Sequence, residues 1–243
     1  MPRRVQCCLN GGRARDEHPA LPLTARELAL EASAAVAAGA FSLHVHPRDS
    51  EGGETLEADW CDAAVAAITA ACPGTPIGLT TGAWIEPDLE RRLRLIEEWR
   101  RLPDFCSVNL SEPGCELVMQ VLWRMGVGVE AGLRTVADAE LLAGLGVGAR
   151  CLRVLVEIDQ EAGGAAAAAA SAAAIDDALD RAGYVGDRLH HGTGAETWAV
   201  IRQALDRGWD VRVGLEDVLT LPDGRVAAGN ADLVAAAIAL APR

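Results

Sequence analysis

The chain has no lysine; all 22 of its basic side chains are arginine. A lysine Schiff base is therefore closed to it, which excludes class I aldolase and pyridoxal-phosphate mechanisms. Arginine stays protonated and is no ordinary base. Carbon–carbon chemistry here must then run through a carboxylate, a histidine or a metal. Positive charge is in deficit overall, with 35 acidic residues and a net charge of −13, and this argues against nucleic acid or an anionic membrane as partner. No apolar run reaches membrane-spanning length, and the stretch after Met1-Pro2-Arg3-Arg4 is too short for a signal-peptide core. The seven cysteines form no C-x-x-C pair and are odd in number, a pattern of small buried hydrophobes in a reducing compartment. The expectation is a cytoplasmic protein.

What is present is a regular alternation. Short apolar runs at Val5–Leu9, Ala40–His46, Pro76–Thr81, Phe105–Asn109, Gly128–Ala131, Cys151–Glu157, Arg188–Gly192 and Asp210–Glu216 read as strands. Alanine- and leucine-rich helical stretches follow them, beginning near Thr24, Glu57, Pro87, Gly114, Thr135, Gly164, Ala195 and Gly229. Thr24 with Glu27 three residues on is a capping box, Glu86-Pro87 puts a proline in a first turn, and the alanine tract Gly163–Ala174 is helix. With no linker or repeat, residues 1–243 read as a single α/β domain, a (β/α)8 TIM barrel.

A barrel carries its chemistry at the C-terminal ends of its strands. His44-Val45-His46 ends the second run, and residues two apart on a strand face one side, so the imidazoles converge as metal ligands do. Arg212, Gly214 and Glu216 share a face at the end of the eighth run by the same rule, with Asp217 opening the loop. Glu216 can complete a His-His-Glu set, or it can be a structural partner of Arg212. Asn10, Thr80-Thr81-Gly82, Ser107 with Asn109, Glu130, Glu157 and His190-His191 end the other runs. For Glu130 acid–base catalysis and a buried ion pair stand level, whereas His190-His191 read as a solvated loop pair in preference to a further ligand or a nucleotide contact. Cys7-Cys8 read as packing.

The segment from Asn10-Gly-Gly-Arg13 to Thr24-Ala-Arg-Glu27, then His44-Val-His46-Pro-Arg-Asp49, Leu79-Thr-Thr-Gly82, Ser107-Val-Asn109, Glu130 and Arg212-Val-Gly-Leu-Glu216-Asp217, resembles the β-keto acid cleavage enzymes in residue type and order. The resemblance implies a TIM barrel with zinc or another divalent metal on His44, His46 and Glu216. It implies an acyl exchange between a β-keto acid and acetyl-CoA, giving acetoacetate and a new acyl-CoA, with zinc stabilising the enolate. It further implies Asp217, paired with Arg212, as base, Thr80 beside the reacting carbonyl, Glu130 with Ser107 as further residues of the catalytic pocket, and a homo-oligomer. Asn10, Arg13, Thr81, Gly82, Ser107 and Asn109 are the expected substrate contacts. Val218 stands where the family usually has asparagine, and Arg13 stands near a position that is acidic in members acting on amino-bearing substrates. If Arg13 reaches the mouth, it selects a neutral or carboxylate-bearing tail; the alternative is an ion pair with Asp16 or Glu17. A metal-dependent hydrolase on the same barrel, or a metabolite-binding barrel without CoA chemistry, are the rival functions.

Overall fold

The computed structural model describes residues 4–159 and 163–241. Eight parallel strands close into a barrel in sequential order: β1 (Val5–Cys8), β2 (Ser42–Val45), β3 (Ile77–Leu79), β4 (Phe105–Asn109), β5 (Gly128–Leu133), β6 (Arg153–Ile158), β7 (Arg188–Gly192) and β8 (Asp210–Val213). Each is followed by a helix: α1 (Ala25–Ala37), α2 (Ala58–Ala71), α3 (Leu89–Glu97), α4 (Cys115–Met125), α5 (Val136–Leu145), α6 (Ala165–Arg181), α7 (Thr197–Arg207) and α8 (Asn230–Leu240). The fold is the TIM barrel expected from the alternation.

Helix starts follow their capping chemistry. The Thr24 hydroxyl accepts from the Glu27 N–H while the Glu27 carboxylate accepts from the Thr24 N–H, so two otherwise unpaired backbone donors are satisfied. Thr135 and Asp138 repeat the device at α5. The alanine tract lies in α6, where Ala168, Ala172, Ile175 and Leu179 are buried at four-, three- and four-residue intervals, the stripe of a helix with one face on a core. Pro87 is not in a first turn. Asp88 caps α3 by accepting from Arg91 N at 2.8 Å, and the helix begins after it.

Four strands end earlier than the apolar runs suggest: β1 at Cys8, β3 at Leu79, and the two that bear on the site, β2 and β8. β2 stops at Val45, leaving His46 just beyond it, and β8 stops at Val213. At Gly214 the chain turns sharply, with Asp217 N and Val218 N both donating to its carbonyl. A side chain on Gly214 would collide with the Cys8 carbonyl, so this turn runs against β1 only with glycine. Glu216 thus meets Arg212 through a helical-type turn, four residues on, and not through strand alternation.

The barrel interior beneath the mouth is a polar layer around aromatic rings. Glu130 is fully buried; its Oε1 accepts from Arg153 Nε at 2.5 Å and from Gln6 Nε2 at 2.8 Å. Gln6 also reaches Ser42 Oγ at 3.3 Å. The Arg153 guanidinium lies over the rings of Phe41 and Phe105, 5.2 and 5.0 Å from their centroids. Phe105 occupies space that a side chain on Gly78 would fill. This is the buried ion pair that the sequence leaves open for Glu130.

Candidate metal and acid–base site

Above that layer, at the C-terminal mouth, the His44 and His46 Nε2 atoms stand 3.0 Å apart. Glu216 faces both, with Oε2 3.9 Å from His44 Nε2 and Oε1 3.5 Å from His46 Nε2. Among the described residues this is the one cluster of three or more such ligands close enough to share an ion. Donors on a tetrahedral zinc with bonds of about 2.1 Å lie roughly 3.4 Å apart, so the spacing fits. So does the bonding: Glu216 Oε2 is buried without a partner, and Nε2 lone pairs 3.0 Å apart repel unless a proton or cation lies between them. Two imidazoles and one carboxylate suit zinc among first-row metals.

Each ligand is positioned by the chain around it. Asn10 holds His46 at its backbone, accepting from His46 N at 3.0 Å and donating to His46 O at 2.8 Å. Asn10 thereby clamps the His46 backbone. The His46 ring is oriented by Glu54, whose Oε1 lies 2.5 Å from Nδ1; a carboxylate behind a ligating histidine fixes its tautomer and raises its basicity. Trp84 Nε1 donates to the other Glu54 oxygen at 3.1 Å, and the indole stacks near the His46 ring with centroids 6.2 Å apart. Gly82 lies under that indole and leaves no room for a side chain, so its part is to seat Trp84. Gly11, at φ +55°, lets Glu216 pack directly on its backbone.

The electrostatics follow from burial against neighbouring charge. Burial disfavours the His46 cation, but Glu216 and Glu54 outweigh it and lift its pKa to about 9. His44 is pushed well below the usual histidine range by burial and by Arg212. Against its own burial, Glu216 is held well below the carboxylate range by Arg212 and the two imidazoles.

Arg212 is bonded to Glu216 and stands 3.8 Å from Asp217 Oδ1. Asp217 is fully buried. Its Oδ1 lies 3.1 Å from His191 Nδ1, and its Oδ2 accepts from the Cys8 thiol at 2.9 Å. Cys8 thus does more than pack. His190 and His191 are both buried, correcting the solvated reading.

Arg13 does not reach the mouth. Its Nε donates to the Leu215 and Glu216 carbonyls at 2.6 and 3.2 Å, NH2 to the Asp217 carbonyl at 3.3 Å, and NH1 to Glu17 at 2.8 Å. Three carbonyls leaving a strand in one turn are a ready acceptor set for a guanidinium fork, so Arg13 braces the Glu216-Asp217 turn. The tail-charge preference argued from Arg13 has no carrier. Thr81 also faces away, donating to the Ser107 carbonyl at 2.8 Å. Thr80, on the opposite parity, is buried, and its hydroxyl accepts from Gly82 N at 3.2 Å. Ser107 and Asn109 are half-buried on the inward face of β4; Asn109 donates to Glu112 at 2.9 Å. Glu157 and Asn109 flank Gly132, where any side chain would collide with both.

Glu54 and Trp84 are the neighbours of the site that sequence reasoning missed, and Cys8 and His191 are the ones that it placed elsewhere, in packing and in a solvated loop. A signal existed for two of them. Asp49 to Glu54 contains Gly52-Gly53, a turn that folds the loop back so that Arg48 bridges Glu54. His191 follows the same alternation that exposed His44 and His46.

Fold and site together define a TIM barrel with a His-His-carboxylate centre and an adjacent buried acid. Residues 3–143 and 133–243 match the β-keto acid cleavage enzyme family. The chain belongs to that family. Among relatives, it is 35% identical over 89 residues to the 3-keto-5-aminohexanoate cleavage enzyme of Fusobacterium nucleatum, a match covering 36% of this chain and 33% of the relative. The match thus spans about a third of that relative's length. The fold is similar to two structures of ObcA, a binary complex with oxaloacetate and a ternary complex with a C4-CoA adduct and oxalate. Each has a TM-score of 0.74 at 18% identity, covering 89% of this chain and 62% of the ObcA chain. No described helix is long and apolar enough to cross a membrane.

Proposed function

We propose that this chain exchanges acyl groups between a β-keto acid and acetyl-CoA: the keto acid's α-carbon takes the acetyl group to give acetoacetate, and its former acyl group leaves on CoA. The observation that carries the reading is the His44–His46–Glu216 cluster, with its unpartnered Glu216 oxygen, directly beside Asp217. Family membership supports it, and so does the shared fold of ObcA, which has been captured with a keto acid and with a CoA adduct.

His44, His46 and Glu216 hold the divalent ion, zinc by donor type; when bound, it supplies Lewis-acid polarisation of the keto and carboxylate oxygens. Asp217 takes the proton from the α-carbon, as its place beside the ligand set allows. Arg212 keeps Glu216 anionic and turned toward the imidazoles. Glu54 sets the His46 ring. Thr80, Ser107 and Asn109 present polar groups along the β3–β4 side for the keto acid, and the exposed Trp84 indole covers the ligand set from the solvent side.

The test is incubation of metal-loaded protein with acetyl-CoA and a panel of β-keto acids, with both products followed by mass spectrometry. Acetoacetate and the matching acyl-CoA are expected in equal amounts. In Asp217→Asn, turnover falls by about 100-fold or more, as for a lost general base, with metal content unchanged. Formation of neither product across the panel, or metal-dependent hydrolysis of the keto acid alone, overturns the reading.

A further inference from the structure

Asp217 is oriented by a residue that neither the family resemblance nor the strand-eight motif points to. β7 and β6 run side by side, with Glu157 in register with His191. Alternation along β7 sends His190 outward, its Nε2 3.2 Å from Asp176 of α6, and His191 inward. The inward ring lies between two carboxylates, with Nδ1 3.1 Å from Asp217 Oδ1 and Nε2 3.5 Å from Glu157 Oε2. Both neighbours are acceptors: Asp217 lies within hydrogen-bond distance of Nδ1, whereas Glu157 stands opposite Nε2 at ion-pair distance without a hydrogen bond, so a ring protonated on both nitrogens suits both. Burial opposes that charged form, but Asp217 and Glu157 prevail over burial and the repulsion of Arg212, and the His191 pKa is raised to about 9. Arg212, the partner that the motif suggests for Asp217, is committed to Glu216 and stands 3.8 Å from the Asp217 oxygen. The other Asp217 contact, the Cys8 thiol, is neutral; burial, with Asp217 beside it, raises its pKa well above the usual range.

We propose that His191 is the positioning residue of this site: backed by Glu157, it holds the Asp217 carboxylate in one orientation. The proposal rests on Asp217 being the base. Its chemistry is that of a histidine between two carboxylates, in which the far carboxylate fixes the ring and the ring fixes the working acid. Nothing in it requires the ring to change protonation during turnover.

The two ring nitrogens can be tested separately, because an asparagine amide nitrogen overlays Nδ1 and a glutamine amide nitrogen overlays Nε2. Kinetics of His191→Asn and His191→Gln should therefore differ in a set order. His191→Gln loses the Asp217 contact and should lower kcat by roughly 10- to 100-fold, the worth of a hydrogen bond to a charged group, with KM and metal content little changed. His191→Asn keeps that contact and should retain most of kcat, whatever its Tm. Placed on Asp217→Asn, His191→Gln should cost nothing further, since both changes remove one interaction. Equal losses in the two variants that track Tm, or a loss that adds fully to that of Asp217→Asn, would overturn the assignment. If His191→Gln fails to fold, Glu157→Gln carries the test. It should lower kcat in the wild-type background and leave Asp217→Asn unchanged, and a loss in both overturns the proposal. Wild-type turnover in Asp217→Asn sinks the base reading and this proposal together; an inactive Asp217→Asn beside a fully active His191→Gln sinks this proposal alone.

Discussion

Two buried polar layers sit one above the other in this barrel and do opposite things. In the lower layer a single acid, Glu130, meets a single cation, Arg153, with Gln6 and Ser42 as neutral neighbours. Charge cancels within the pair, and two phenylalanine rings wall it off. In the upper layer four carboxylates, Glu54, Glu157, Glu216 and Asp217, face two buried arginines, Arg48 and Arg212, and three imidazoles. Charge there balances only if protons or a metal cation are taken up. The same residue types therefore build a strut where the charges cancel and a binding site where they do not.

The largest effect expected is at the upper layer. His46→Ala removes one ligand and leaves Glu54 and Glu216 facing each other's charge, so bound metal should be lost and turnover should fall below detection; elemental analysis beside the product assay reads both. A variant that keeps stoichiometric metal would break the contrast between the layers. Next comes Glu130→Ala, which leaves Arg153 buried without its partner and should cost about 3–5 kcal/mol of stability. Denaturant unfolding measures that cost. Turnover per folded molecule should stay near wild type, and a fall as deep as that of Asp217→Asn would put Glu130 among the catalytic residues. Gly78→Ala forces a methyl group into the Phe105 ring and should destabilise by about 1–3 kcal/mol through overpacking. Its counterpart in the upper layer, Gly132→Ala, pushes on Asn109 and Glu157 and should alter KM or kcat more than Tm. Equal Tm losses would show that the two layers share one role. The smallest effect is that of Glu54→Gln, which keeps a hydrogen bond to His46 but removes the charge. Metal affinity should weaken by about 10-fold, measured by competition with a chelator, and an unchanged affinity would mean that the ring is held well enough by Asn10 alone.

The layers also differ in how far they can be read from sequence. Glu130 and Arg153 lie on neighbouring strands 23 residues apart in the chain, and nothing local says that they pair. Asn10 and Arg13 show the complementary difficulty. Polar residues just after a strand look like substrate contacts, yet backbone groups left unpaired at strand ends compete for them, and in this protein the backbone takes both. Thr80 and Thr81 divide by parity, which is readable only once the strand's exact extent is known.

Local rules settled a good deal by themselves. Alternating apolar runs and capping residues determined the order and type of the elements, because those depend on period and on nearby backbone donors. The two-residue spacing of His44 and His46 determined a shared face for the same reason. Tertiary structure alone decided that Glu216 arrives through a turn made possible by Gly214, that Glu54 folds back onto His46, and that His191 lies between Glu157 and Asp217. Those contacts join β2 to its following loop and β6 to β7 and β8, and closing the barrel is what makes them neighbours. A pattern along one strand shows which way a side chain points; only the closed sheet shows what it meets.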